Sequence, residues 1–277
     1  MKIKHLAAFG LLLSSLACGN MFGAEATPIE TEVKSIMTDV QKAARNGEMT
    51  EKDLAPSLKR LDDLLAKHKD EKTDEVARIP FMKAIIYLQA LDQPDKAATI
   101  LEQVKKDYPE TKTGKSIDGM LANIEKQKQA KAIQAGLVEG TKFPDFDEKD
   151  LAGKPLSIAN YKGKVVLVDF WATWCGPCVG ELPNVLKTYE KYHPQGLEII
   201  GISLDRDETK LQDFIKEKNV TWQQFFDGQF WSNKLAQKYG INSIPMTYLL
   251  DGEGKIIGKN LRGEKLDEAV GKALAKK

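Results

Sequence analysis

A chain of 277 residues is longer than a single small α/β domain needs, so two domains are expected. Forty-one Lys and Arg stand against 40 Asp and Glu, a balance with no basic footprint for nucleic acid. Three cysteines are too few for a disulfide scaffold or a four-thiolate zinc site.

The opening residues, Met1-Lys2-Ile3-Lys4-His5 and an apolar run over 6–17, have the basic flank and short hydrophobic stretch of an export signal spanning 1–26. The run is shorter than the ~20 residues that cross a bilayer as a helix. Two cleavage sites stay open. Ser15-Leu16-Ala17-Cys18 resembles a lipoprotein box with its leucine displaced to position 16, which would make Cys18 a lipid anchor. Ala24-Glu25-Ala26 has the small-residue form of ordinary cleavage. On either reading Cys18 is not a free thiol in the mature protein, and the location is the periplasm or cell envelope.

Residues 27–135 read as helix throughout. Val33, Ile36, Met37, Val40 and Ala44 keep helical spacing, as do Leu54, Leu58, Leu61 and Leu65. Ile100, Leu101, Val104 and Tyr108 repeat the pattern, and so do Ile117, Met120, Leu121 and Ile124. Breaks fall at Asn46-Gly47, 70–73, Asp92-Gln93-Pro94 and Tyr108-Pro109, which divides the region into five helices. Residues 79–108 resemble a tetratricopeptide hairpin, with no clear second copy at a period of about 34. Two roles are open for this domain: a bundle that spaces the rest of the chain, or a surface that binds a protein partner.

A polar, alanine-rich stretch over 126–140, broken at Gly136 and Gly140, marks the boundary, and a second domain is expected over 136–277. Its opening segments, 143–146 and 156–158, flank Gly153-Lys154-Pro155 and read as a hairpin. Residues 165–170 form a short β-branched run of the kind buried on both faces of a parallel sheet. A bend at 171–174 leads to Cys175-Gly176-Pro177-Cys178, then to a helix with Leu182, Val185, Leu186 and Tyr189 on one face. Further strands are expected at 197–204, 221–226, 247–250 and 255–261, and helices after a cap at Asp205 or Asp207, at 232–239 and at 265–277. This order is an α/β domain with a mixed sheet, the strand–helix alternation closing on an antiparallel hairpin.

A cysteine at a helix N-terminus meets unpaired backbone N–H groups and the positive end of the helix dipole, which favour thiolate over thiol. Cys175 is therefore the expected nucleophile and Cys178, one turn in, the shielded resolving thiol. Pro177 is tolerated there because the first turn needs no N–H from it, and Gly176 lets a partner's backbone approach. His68 and His193 have no second metal-type residue nearby, and Val179 rather than a histidine follows Cys178, which removes c-type haem attachment. No metal or cofactor is expected.

Val168-Asp169-Phe170-Trp171-Ala172 with Trp174-Cys175-Gly176-Pro177-Cys178 resembles the active-site signature of thioredoxins. The wider frame is similar to the TlpA/ResA group of exported bacterial thiol-disulfide oxidoreductases. That frame comprises Gly140 to Phe146, Leu156 to Lys164, Gly201-Ile202-Ser203-Leu204-Asp205, Tyr239-Gly240-Ile241, Ile244-Pro245-Met246-Thr247 and Asp251 to Gly263. The likeness implies a thioredoxin fold and a cis peptide at Pro245 facing Cys175, which keeps metal from the thiols and offers backbone to an extended substrate. It also implies a carboxylate under the pair at Asp169 and a second at Glu181, leaving open which relays the proton to Cys178. Trp174 is expected to shield the nucleophile and stack against a partner, and Trp171 to be core.

The expected activity is reduction of protein disulfides, ending in a Cys175–Cys178 disulfide. Gly-Pro is the thioredoxin dipeptide, and thioredoxin's potential of about −270 mV lies at the reducing end of its class. The family likeness implies a membrane donor of reducing equivalents and admits cytochrome c maturation as one task. Two other classes compete: a peroxiredoxin-like thiol peroxidase, which wants a threonine three before its cysteine where Thr173 is two before, and a non-catalytic adaptor.

Overall fold

The structure is a computed structural model that describes residues 26–47 and 49–275. The export-signal reading and Cys18 fall outside the described residues. The chain divides into two compact units, Met1–Lys126 and Gln127–Lys277.

The first unit is helical because capped, amphipathic segments follow one another with short breaks. Helix α1 (Pro28–Arg45) starts in a capping box, Thr27 accepting from the Glu30 N–H while the Glu30 carboxylate accepts from Thr27 N–H. Helix α2 (Glu51–Lys67) repeats the device with Thr50 and Asp53, and Thr73 caps α3 (Asp74–Ile85). Helix α3 runs on as a π-turn (Ile86–Ala90) before α4 (Pro94–Asp107), and α5 (Lys112–Gly136) follows. Ile36, Val40, Leu54, Leu61, Ile79, Leu101 and Ile117 come from all five helices into one core. The four breaks read from Gly, Pro and Asp clusters separate these helices, and α3 packs on α4 as the hairpin expected over 79–108.

The second unit is a thioredoxin-like fold. Strands β1 (Glu148–Lys149) and β2 (Pro155–Leu156) make a small hairpin, followed by β3 (Val165–Trp171), α6 (Gly176–Tyr192), β4 (Leu197–Ser203), α7 (Glu208–Glu217) and β5 (Gln223–Phe226). Helix α8 (Lys234–Lys238), β6 (Met246–Leu250), β7 (Ile256–Lys259) and α9 (Glu264–Leu274) complete it. The sheet order is β5-β4-β3-β6-β7; β3, β4 and β5 are parallel, and β6 and β7 antiparallel.

Strand β3 is central, and both of its faces are covered, which explains its unbroken apolar run. Val165 and Leu167 face Leu182 and Val185 of α6 and Leu266 and Val270 of α9. Val166, Val168 and Phe170 face a core that includes Phe143, Tyr239 and Tyr248. Side chains alternate along a strand, so Asp169 falls on the α6 side.

One element departs from the sequence reading. Residues 143–146 are not a strand; the first strand of the hairpin is Glu148–Lys149. Phe143 is instead a core plug, stacked on Tyr239 at 4.4 Å and tilted against Tyr248 at 5.1 Å. The Asp145 side chain takes the Phe146 and Ile158 N–H groups that a ladder would have used. Of the two cap candidates for α7, Asp207 accepts from the Lys210 N–H, and Asp205 is used elsewhere.

Gly201 on β4 is a packing glycine. A Cβ there would lie 2.0 Å from Gln224 Oε1, the buried oxygen that accepts from Trp171 Nε1 at 3.0 Å. Gly201→Ala is expected to lower stability by about 1–3 kcal/mol through overpacking, read as a fall in thermal midpoint. An unchanged midpoint would show that Gln224 has room to move.

Candidate active site

Strand β3 ends at Trp171, and the chain turns through Ala172–Trp174 to Cys175, the N-cap of α6. Cys175 Sγ is bonded to Cys178 Sγ at 2.07 Å, and the Cys178 N–H points back at Cys175 Sγ from 3.2 Å. A sulfur thus takes one of the helix's unpaired donors, the position a capping oxygen ordinarily fills. Both cysteines are 6% exposed, so in the disulfide neither sulfur is the more open by residue exposure.

The bend before Cys175 is held from β4. Buried Asp205 accepts from the Thr173 N–H at 3.1 Å, from Thr173 Oγ1 at 2.6 Å and from Ser203 Oγ at 2.8 Å. The Thr173 hydroxyl is therefore committed to Asp205. The sequence offers Asp205 as a helix cap and as the last residue of the frame motif Gly201-Ile202-Ser203-Leu204-Asp205, and neither reading gives it this role.

Around the bend lies an aromatic patch. Trp174 is 46% exposed, with ring centroids 5.0 Å from Phe230 and 6.1 Å from Trp231, while the Arg206 guanidinium sits 4.4 Å over Phe230. Trp171, by contrast, is buried. Gly176 opens onto free space, since a Cβ there would meet no atom within 4 Å, and Pro177 occupies the first turn of α6.

Beneath the disulfide is a cavity of about 20 Å³, room for one water-sized molecule. Asp169, Cys178, Glu181, Pro245, Thr247 and Arg262 line it. The Ile244–Pro245 peptide is cis. Glu181 is tied down: Oε1 accepts from the Gly263 N–H at 2.6 Å and Oε2 from Asn184 Nδ2 at 3.2 Å. Asp169 is held differently. Burial raises its carboxyl to about 7, with the Arg262 charge pulling down and the Glu181 charge pushing up.

Arg262 is the member of this group that sequence reasoning missed. Its guanidinium donates to the Pro245 carbonyl at 2.8 Å and to Thr247 Oγ1 at 2.9 Å. Only the register makes it visible, because Thr247 is the cross-strand partner of Asp169. Among the described residues no group of three or more His, Cys, Asp or Glu could hold a metal ion, and no helix is long and apolar enough to cross a membrane.

The geometry can perform thiol–disulfide chemistry, with a reversible disulfide at a helix N-terminus, an acid that titrates near neutrality below it and an open apolar rim. Known proteins are similar in sequence over this domain. The Redoxin family model matches residues 138–274. Thiol-disulfide oxidoreductase ResA of Bacillus thuringiensis subsp. konkukian (strain 97-27) is 32% identical over 137 residues, which are 50% of this chain and 77% of the relative. ResA of Bacillus subtilis (strain 168) is 30% identical over 129 residues, 46% of this chain and 70% of the relative. A solved thioredoxin domain of a thiol-disulfide oxidoreductase from Bacteroides vulgatus is 38% identical, covers 49% of this chain and 97% of its own, and superposes with a TM-score of 0.46.

The Asp169 carboxyl has a consequence for stability. With its folded value raised to about 7 from 3.8, the folded protein keeps a proton that the unfolded chain has released, so this contribution is full below pH 4 and is lost as pH rises through 7. The loss amounts to on the order of 2–4 kcal/mol. Asp169→Asn should remove that slope from a plot of stability against pH in the oxidised protein; a slope unchanged by the substitution would mean that Asp169 ionises at an ordinary carboxylate value.

Proposed function

The chain belongs to the ResA-type thiol-disulfide oxidoreductases, and from that premise we propose that it is an exported reductase of protein disulfides. The observation that carries the reading is the Cys175–Cys178 disulfide capping α6, above a cavity shared with an acid that titrates near 7. In the proposed cycle the Cys175 thiolate attacks a substrate disulfide. One Cys175–substrate bond forms, the substrate S–S bond breaks, and the first substrate sulfur leaves as a thiolate and takes a proton.

Cys178 then gives its proton to Asp169 and attacks Cys175 Sγ. The second substrate thiolate leaves, and the enzyme closes as the 175–178 disulfide, two electrons having passed to the substrate. Asp169 is favoured over Glu181 as the relay, because both Glu181 oxygens already accept hydrogen bonds. Regeneration needs two electrons from a dithiol donor, for which a membrane carrier of reducing equivalents facing the envelope is the proposed source. Substrates are disulfide-bearing proteins, cytochrome c maturation being one such task.

Residues 136–277 are proposed as the catalytic domain and 27–135 as a helical partner-binding or spacing domain after a signal over 1–26. Against the peroxidase reading stand the spacing of Thr173, two and not three before Cys175, and the donation of its hydroxyl to Asp205. Trp174, Gly176, Pro177 and Pro245 are proposed as the substrate-facing support of the pair.

Insulin reduction with dithiothreitol as donor tests this. Wild type is expected to turn over, Cys175→Ser to lose all activity, and Cys178→Ala to accumulate a mixed disulfide with substrate. The couple should lie near the thioredoxin value of about −270 mV; a potential near the DsbA value of about −120 mV would reverse the direction to oxidation.

A further inference from the structure

Residues 260–263 return along the start of β6 and touch both halves of the site. The Asn260 N–H donates to the Thr247 carbonyl at 2.9 Å. Arg262 follows with both prongs of its guanidinium engaged, Nη2 on the Pro245 carbonyl and Nη1 on Thr247 Oγ1 and on its neighbour's Leu261 carbonyl at 2.7 Å. The Gly263 N–H then reaches Glu181 on α6. Gly263 has φ +51° and ψ −132°, a conformation that a side chain resists, so the direction of that N–H depends on glycine.

Arg262 and its neighbour Gly263 therefore join three parts of the site: Arg262 holds the loop carrying Pro245 and faces Asp169 on β3, and Gly263 holds Glu181 on the helix carrying the cysteines. A planar, two-pronged donor can hold a carbonyl and a hydroxyl at once where an ammonium, a point charge, holds neither in a fixed direction. We propose that Arg262 is a positioning residue with two separable jobs: its fork fixes the Pro245 carbonyl, and with it the backbone edge met by a disulfide-bearing strand, while its charge faces the Asp169 carboxyl. The inference rests on the disulfide-reductase reading and names what holds that site in register.

The charged groups that meet Asp169 in the cavity are few. Arg262 comes from the 260–263 return and Glu181 from α6; Cys178 from α6 adds a thiol when the pair is reduced, and Gly201 and Thr247, its partners on β4 and β6, carry no charge. Arg262 opposes the rise that burial imposes, so removing its charge moves the Asp169 ionisation to higher pH.

The two jobs come apart by substitution. Arg262→Lys keeps the charge and loses the fork; Arg262→Gln loses the charge. In insulin reduction, Arg262→Lys should raise KM by about tenfold, with kcat within about twofold of wild type and the inflection of kcat against pH unmoved. Arg262→Gln should raise KM and also shift that inflection upward. Thr247→Val, which removes one acceptor and no charge, should follow Arg262→Lys to a smaller extent and serves in its place if Arg262→Lys fails to fold; Arg262→Met serves in place of Arg262→Gln. KM unchanged in Arg262→Lys and Thr247→Val, or an inflection unmoved in folded Arg262→Gln, overturns the proposal. A wild type that reduces no insulin overturns the reductase reading itself, whereas an active wild type with unaltered variants overturns only the role of Arg262.

Discussion

The site depends on the fixed end of one strand. Strand β3 is hydrogen-bonded on both edges, parallel to β4 and antiparallel to β6, and packed on both faces. Its C-terminal end consequently has no freedom to drift. The bend that leaves it is pinned again by Asp205, whose oxygens accept from the backbone and hydroxyl of Thr173. Buried carboxylates that accept several hydrogen bonds are strong fixtures, because losing any partner leaves an unsatisfied oxygen away from water. Cys175 thus arrives at the head of α6 from a rigid base, and the helix terminus supplies its N–H group without rearrangement.

The same strand supplies the acid. Alternation along β3 directs Asp169 toward α6, and cross-strand register places it beside Thr247. An isolated carboxylate in that place would be costly, and the structure moderates the cost without abolishing it: Arg262 faces the group but spends its hydrogen bonds on Pro245 and Thr247. The acid is left titrating at about 7, between the fully ionised state that a direct salt bridge would enforce and the permanently neutral state that burial alone would favour. A group poised there can both accept and return a proton at physiological pH.

Much of this was legible in the sequence, for identifiable reasons. Elements whose signal is local were read correctly: the five helices of the first unit with breaks at Gly, Pro and Asp, the β-branched central strand, and the Cys pair opening a helix. Features that depend on register or on competition between side chain and backbone were not. Residues 143–146 read as one arm of a hairpin about the Gly153 turn, yet Asp145 takes the N–H groups that a ladder would need, and Phe143 is held by two tyrosines distant in sequence. Asp205 stood one turn from a helix start and read as a cap. Arg262 lay inside the Asp251 to Gly263 frame with no role of its own, because nothing local announces that a loop 15 residues beyond Thr247 returns to it.

The equal burial of the two cysteines bears on how their proposed roles divide. Exposure does not separate them, since both are 6% accessible in the disulfide. Their surroundings do. Cys175 receives the N–H of α6 and follows the exposed Trp174, whereas Cys178 lines the cavity with Asp169, and Cys175 does not. The helix terminus can stabilise negative charge only on the sulfur that caps it, and the buried acid can exchange a proton only with the sulfur it meets. On the proposed cycle these two demands occur in sequence, charge first on Cys175 and proton loss next from Cys178. The 3-residue spacing of the pair puts one sulfur at the outer end of a helical turn and the other at its inner end. On that cycle a single turn of helix would divide the two proposed roles through electrostatics rather than through access.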